Sequence, residues 1–373
     1  MTNTTEWITR SVSRLRSGAS STDKAPKASK PAADKQVADG AATKVPAPRS
    51  THERLQATLR RGNESLSPRA LRRLLADLQD VVAPQVSELE GGRRAQVVAG
   101  WYGQAEPEER RDMWLLLCEQ FAPDATRFQS ARQRYEAAAG TADEGQAEIS
   151  LRRALVSPRT RLMQRFAVFP EGMRFLVDLR AELLPQLKSD KRLVALDADL
   201  EHLFTTWFDV AFLELRRLSW DSPASLIEKL IKYEAVHDIR SWADLKNRLD
   251  SDRRCYGFFH PRLPNEPLIF VEVALVDRIS SSITPLLDEA AAPADLKKAT
   301  TAIFYSISNT QPGLRGVSFG DSLIKHVVET LTAEFPRLRT FATLSPIPGF
   351  RGWLGKNAGA MLERLDDKRR AEL

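Results

Sequence analysis

A chain of 373 residues, 42% hydrophobic and 28% charged, has the composition of a soluble globular protein and the length of two domains with a tail. Its net charge of +6 invites a nucleic-acid partner, but residues 1–50 alone hold nine Lys or Arg against four Asp or Glu. The rest is nearly neutral, without a basic stripe, and no apolar run approaches the ~20 residues that span a bilayer, so neither nucleic acid nor membrane is expected as a partner.

Residues 18–50 are rich in Ala, Pro, Ser and Lys and nearly free of large apolar side chains, so they bury too little surface to offset ordering entropy and are expected to be a disordered tail. Before them, Arg10, Arg14 and Arg16 stand among Ser and Thr with one acid, Glu6. That composition resembles a weak transit peptide, but with no secretory apolar segment an uncleaved flexible bacterial tail is the favoured reading. Cys118 and Cys255 form no metal or CxxC spacing and read as reduced thiols of a cytosol-like compartment; the mitochondrial matrix is the alternative.

From about His52 the pattern is helical. Ser67 and Pro68 supply a cap and a first-turn proline, and Leu71, Leu74, Leu75 and Leu78 share a face. Residues 106–121 carry Met113, Leu116, Leu117 and Phe121 on one stripe, with acids in the first turn. Further helices are expected over 131–139, 151–166, 173–187 and 198–218, with no strand signal among them. Residues 51–210 should therefore form a helical bundle whose Trp, Phe and Met side chains are core. Residues 222–249 read as a helical connector, in which His237 is expected to tie the connector to a sheet.

Near Phe258 the period changes to two. Residues 258–260 and 268–276 read as strands joined by a proline-rich turn, with His260 a structural group at the strand end. A helical stretch over 283–298 is expected next. Residues 301–350 then read as strand, loop, helix and strand. Ala302, Phe304 and Ser306 alternate with Ile303, Tyr305 and Ile307 up to Asn309, and the loop holds Gly313, Gly316 and Gly320. The helix follows, with Leu323, Ile324, Val327, Val328 and Leu331 at helical spacing and Asp321 or Ser322 as its cap. Glycines before a helix N-terminus allow close backbone approach, and free N–H groups and the helix dipole favour a pyrophosphate, to which Arg315 adds a charge. A plain structural turn is the competing reading of the glycines. The last strand, 338–344, delivers Ser345 to the rigid run Pro346-Ile347-Pro348-Gly349-Phe350, where it is either a catalytic group or a turn hydroxyl.

The stretch FYSISNTQPGLRGVSFGDSLIKHVV, followed by LSPIPGF, closely resembles the malonyl-CoA decarboxylase family, lyases that convert malonyl-CoA to acetyl-CoA and carbon dioxide in the control of fatty acid metabolism. YEAVHDIRSW and FFHP match the family too, and the similarity covers residues 151–350 well. The resemblance implies an α+β protein: an all-α helical domain over 51–210, then an acetyltransferase-like (GNAT-type) acyl-CoA domain over 211–373. The loop departs from the acetyltransferase pattern, because Gln311-Pro-Gly-Leu-Arg-Gly316 shifts one glycine.

By the same resemblance, Arg315, Gly316, Val317, Ser318, Phe319, Gly320 and Asp321 form the malonyl-CoA-binding loop and Ser345 is the active-site serine. Assembly as a homo-oligomer through the helical domain is expected. Losing carbon dioxide from a malonyl thioester leaves an enolate whose charge sits on the thioester oxygen, so the reaction needs hydrogen-bond donors and an acid but no metal or organic cofactor. Each donor at a developing oxyanion is worth about 3 kcal/mol. The family pairs its serine with a proton-donating histidine far downstream, in a segment of the type DPVANFH, whereas no histidine follows His326 here. The sequence is therefore expected to be a fragment or truncated, impaired form of the enzyme, with Ile347, Phe350, Trp353 and Leu354 left exposed. An acyl-CoA-binding module without catalysis is the alternative, and an acyl-CoA-dependent acetyltransferase rests on fold analogy.

Overall fold

The computed structural model describes residues 50–59, 65–317 and 322–363. The expected disordered tail, Ser50 excepted, lies outside the described residues. Contacts divide the chain into two units, 1–210 with 313–323 and 211–312 with 324–373.

The first unit is helical: α1 (Thr51–Gln56), α2 (Pro68–Val81), α3 (Glu88–Gln104), α4 (Pro107–Gln120), α5 (Ala125–Ala138), α6 (Glu144–Leu155), α7 (Pro158–Phe166), α8 (Gly172–Leu183) and α9 (Val194–Trp207). Side-chain caps set many of the starts. Ser50, Ser67, Ser87, Asp124 and Ser157 each accept a backbone N–H in the first turn of the helix they precede. Ser157 also interrupts what reads as one helix over 151–166. α3 has no counterpart in the sequence expectations, since Gly91 and Gly92 obscure its period. Both glycines are needed for packing, because a Cβ at Gly91 would stand 2.7 Å from the Val81 carbonyl and one at Gly92 would stand 2.7 Å from Val168 Cγ1.

Leu71, Leu78, Met113, Leu116, Leu117, Leu162, Phe166, Leu176 and Leu200 are buried in this unit. A buried ion pair ties α1 to α4. The Arg54 guanidinium donates to Asp112 Oδ1 at 2.6 Å and Oδ2 at 2.8 Å, and Oδ2 also accepts the Leu66 N–H at 3.0 Å.

Among the described residues, the second unit is built on a sheet of five strands in the order β1 (Glu214–Leu218), β2 (Arg253–His260), β3 (Leu263–Val276), β4 (Thr301–Asn309) and β5 (Thr340–Thr343). β1 to β4 are antiparallel neighbours, and β4 and β5 run parallel. α10 (Ala224–Tyr233) and α11 (Trp242–Arg248) pack on the face carrying Cys255 and Phe270. α12 (Ser322–Glu334) serves the other face, where Glu334 takes the Arg254 guanidinium at 2.6 Å. α13 (Phe350–Leu362) buries none of its residues, and Ile347, Phe350, Trp353 and Leu354 are exposed.

Two elements differ from the sequence expectation. The expected helix over 198–218 ends at Trp207, and residues 214–218 form β1. ELRRL buries only Leu218, so it shows no two-residue apolar alternation; its extended form comes from pairing with β2 from Glu214↔Phe259 to Leu218↔Cys255. The expected helix over 283–298 is reduced to the turn Thr284–Leu286. Pro293 and the turns in which Asp288 and Asp295 accept the N–H groups of Ala290 and Lys297 compete with a longer helix. The β2–β3 hairpin is as expected, although β3 begins at Leu263 and absorbs most of the proline-rich turn.

The architecture is thus α+β, and among the described residues no helix is long and apolar enough to cross a membrane. Removing one partner of the Arg54–Asp112 pair strands the other charge. Asp112→Ala should cost about 3–5 kcal/mol in urea unfolding, while Arg54→Met with Asp112→Leu should recover most of that loss. A loss below about 1 kcal/mol for the single variant would show that the pair behaves as a surface contact.

Candidate functional site

β4 is the element from which the site is built. Between Glu272↔Ser306 and Val273↔Phe304 its register slips, leaving Tyr305 as an extra residue. The bulge shifts the alternation by one. Tyr305 joins Ala274, Leu286 and Ile303 in the core, and the next residue, Ser306, faces the same side, where its hydroxyl meets both Glu234 carboxylate oxygens at 2.8 Å. Ser308 bonds the same carboxylate at 3.1 Å.

Beyond Asn309, Thr310 and Gln311 anchor the chain by donating to the Pro267 carbonyl. The turn Pro312–Leu314 leads into the glycine loop. In the first unit, a Cβ on Gly313 would lie 1.9 Å from the Val177 carbonyl, so only glycine fits there. Gly316 has φ +87°, which L side chains rarely adopt. Arg315 and Gly316 are exposed, and Val317 is buried. Ser318, Phe319, Gly320 and Asp321 lie outside the described residues, as does the expected cap by Asp321.

The loop is held by Arg180 of α8, a group that the sequence reading missed. Its side chain is 1% exposed and makes four bonds within the first unit. Nη1 donates to the carbonyls of Gly313 at 2.9 Å and Arg315 at 2.8 Å, Nε to Asp197 at 2.8 Å, and Nη2 to Glu201 at 3.2 Å. A signal was available: Arg180 interrupts the apolar stripe Leu176, Arg180, Leu183, and Asp197 and Glu201 stand one turn apart on α9.

β5 ends at Thr343. The Leu344 N–H still bonds the Phe304 carbonyl at 2.9 Å, and Ser345 is exposed immediately after it. Because β4 and β5 are parallel, their carboxyl ends share one edge of the sheet. The chain leaves that edge at Asn309 towards the loop and again at Thr343 towards Ser345.

The histidines expected to be structural are engaged with their surroundings. Glu234 accepts the N–H groups of Val236 and His237, both at 2.8 Å. The His237 imidazole has its pKa lowered, mainly by burial, against the charge of Glu234 and a hydrogen bond to the Tyr305 backbone. His260 is buried, and its Nδ1 accepts the Arg262 N–H at 3.1 Å. Beside His237 lies a polar network in which Arg248 donates to Asp244 at 2.7 Å and to Glu272 at 3.0 Å. Glu272 is fully buried, and desolvation, reinforced by the Glu234 charge, pushes its carboxyl up to about 8 despite Arg248. Burial likewise raises the thiol pKa of Cys255. Among the described residues, no three of His, Cys, Asp and Glu group as a metal site.

A helical unit, a mixed sheet and a glycine loop between parallel strands define an α+β protein built around one strand, loop, helix and strand crossover. The models of the malonyl-CoA decarboxylase N-terminal and C-terminal domains match residues 121–208 and 211–372. The crystal structure of malonyl-CoA decarboxylase from Rhodopseudomonas palustris is 42% identical, with a TM-score of 0.70 over 80% of this chain and 72% of that one. The one from Agrobacterium vitis is 38% identical, with a TM-score of 0.71 over 80% and 76%. The mitochondrial malonyl-CoA decarboxylase of Mus musculus is 38% identical over 70% of this chain and 56% of its own length. That of Anser anser anser is 43% identical over 54% and 42%. The chain belongs to the malonyl-CoA decarboxylase family, and it spans about half the length of the curated relatives it matches.

Glu272 yields a pH signature. Between pH 4.5 and about 8 the folded chain keeps a proton here that the unfolded chain has released. Stability from this group therefore falls as pH rises through that window, by up to ~1.4 kcal/mol per unit, and levels off above it. Urea unfolding across the window should show that fall, and Glu272→Gln should flatten it. An identical slope in the variant would mean that Glu272 ionises in the ordinary carboxylate range.

Proposed function

We propose that this protein is a carboxy-lyase that converts malonyl-CoA to acetyl-CoA and carbon dioxide, with the glycine loop holding the CoA diphosphate and Ser345 acting at the thioester. The observation that carries the reading is the shared edge: in a chain of this family, the exits from β4 and β5 lead to the glycine loop and to the serine. Ligands of sheets with parallel strands bind beyond the carboxyl ends of those strands.

Chemistry at that edge follows from the substrate. Breaking the bond between the α-carbon and the carboxylate releases carbon dioxide and leaves its electron pair in the thioester enolate. The Ser345 hydroxyl donates a hydrogen bond to the enolate oxygen, which carries the developing charge, and Pro346 and Pro348 limit backbone movement around it. A general acid then protonates the carbon to give acetyl-CoA; by the family resemblance this is a histidine of a DPVANFH-type segment. On the binding side, Arg315 and the exposed backbone of Gly316 meet the diphosphate, with Val317, Ser318, Phe319, Gly320 and Asp321 completing the loop. The electron sink is the thioester itself, so the step draws on no added cofactor. Homo-oligomerisation through the helical unit, where Leu89 and Val97 of α3 are exposed, and a cytoplasmic or matrix location belong to the same reading.

In a chain that carries the DPVANFH-type segment, Ser345→Ala should lower kcat for carbon dioxide release about 100-fold or more, with KM nearly unchanged, as when one transition-state hydrogen bond is lost. Equal turnover would make Ser345 a turn hydroxyl, and tight malonyl-CoA binding without carbon dioxide release by that histidine-bearing chain would reduce the proposal to a binding module. Gly316→Val should weaken CoA binding in calorimetry, because φ +87° excludes a branched side chain. Unchanged affinity would make the loop a plain turn.

A further inference from the structure

Resting on that reading of the loop, we infer that Arg180 is its positioning residue: the buried guanidinium turns two loop carbonyls inward so that a backbone N–H faces the CoA diphosphate, and it offsets part of the charge of the two carboxylates beneath. In a trans peptide the carbonyl and the following N–H point in opposite directions. With the Arg315 carbonyl held by Arg180 at 2.8 Å, the N–H of Gly316 points away from the Arg180 guanidinium, on an exposed residue. The Gly313 carbonyl, held at 2.9 Å by the same Nη1, gives the loop a second point of attachment.

Two features separate this arrangement from ordinary ion pairing between helices. A pair with Asp197 alone would satisfy the α8–α9 contact, yet Arg180 commits one nitrogen wholly to loop carbonyls. Gly313 is pressed against the Val177 carbonyl, three residues before Arg180 on α8, so the loop docks on that helix through backbone and side chain together. The charges matter as well. The Glu201 carboxylate lies 3.6 Å from the Cβ position of Gly316, where an uncompensated negative charge would repel a diphosphate. Arg180, at 3.2 Å from Glu201, offsets it.

The test compares CoA with pantetheine, which lacks the diphosphate, by calorimetry on the full chain. Arg180→Lys keeps the charge but cannot fork between two carbonyls and two carboxylates. Kd for CoA should rise roughly 10- to 100-fold, as expected for lost charge-assisted hydrogen bonds, while Kd for pantetheine should change by less than about 3-fold. Gly313→Ala should reproduce the split by pushing the loop off Arg180 while leaving both carboxylate pairs intact, and it decides alone if Arg180→Lys does not fold. Parallel loss of both ligands, or unchanged CoA affinity in a folded variant, overturns the positioning role. A parent protein that binds CoA no tighter than pantetheine overturns the loop reading itself, and this inference with it, before any variant is made.

Discussion

The parallel pairing of β4 with β5 is the constraint from which the candidate site follows. Antiparallel neighbours can be joined by a tight hairpin, as β2 and β3 are, but parallel neighbours require a crossover that carries the chain back to the starting edge. Residues 310–339 are that crossover, and they contain both the glycine loop and α12. The same pairing sends the chain off a common edge twice, so one requirement of sheet geometry produces a loop, a helix start and an exposed serine.

Charge inside the two units serves position more than stability. Arg54, Arg180 and Arg248 are nearly or fully buried, and each has carboxylate partners from elements distant in sequence or backbone carbonyls of a loop. Desolvation offsets most of what such pairs gain, so their replacement by apolar side chains can leave stability little changed. What apolar side chains cannot supply is direction. A guanidinium fixes where its partners sit, and at Arg180 the partners are loop carbonyls. The Glu234 and Glu272 network does comparable work under β4, where the bulge at Tyr305 brings Ser306 round to the Glu234 carboxylate.

Local signals were readable wherever one element decides its own conformation. Ser67 with Pro68 starts α2, and the long apolar run before Val276 is a strand buried along most of its length. The residues FYSISNTQPGLRGVSFG and LSPIPGF carried the family resemblance, and the comparisons bear it out. Signals failed where tertiary contacts decide. β1 is extended because β2 pairs with it, and α3 hides behind a glycine pair whose purpose is visible only against Val81 and Val168.

The sequence by itself determined the division into a helical part and a strand-rich part and the crossover unit, because hydrophobic period, caps and turn residues are local properties. Only the tertiary structure decided that β4 and β5 run parallel, that the phase of β4 slips at Tyr305, and that Arg180 grips Gly313 and Arg315 from a helix more than a hundred residues upstream. Those outcomes depend on pairings between distant segments. A one-dimensional pattern of apolar and polar residues does not encode which buried charge meets which backbone carbonyl.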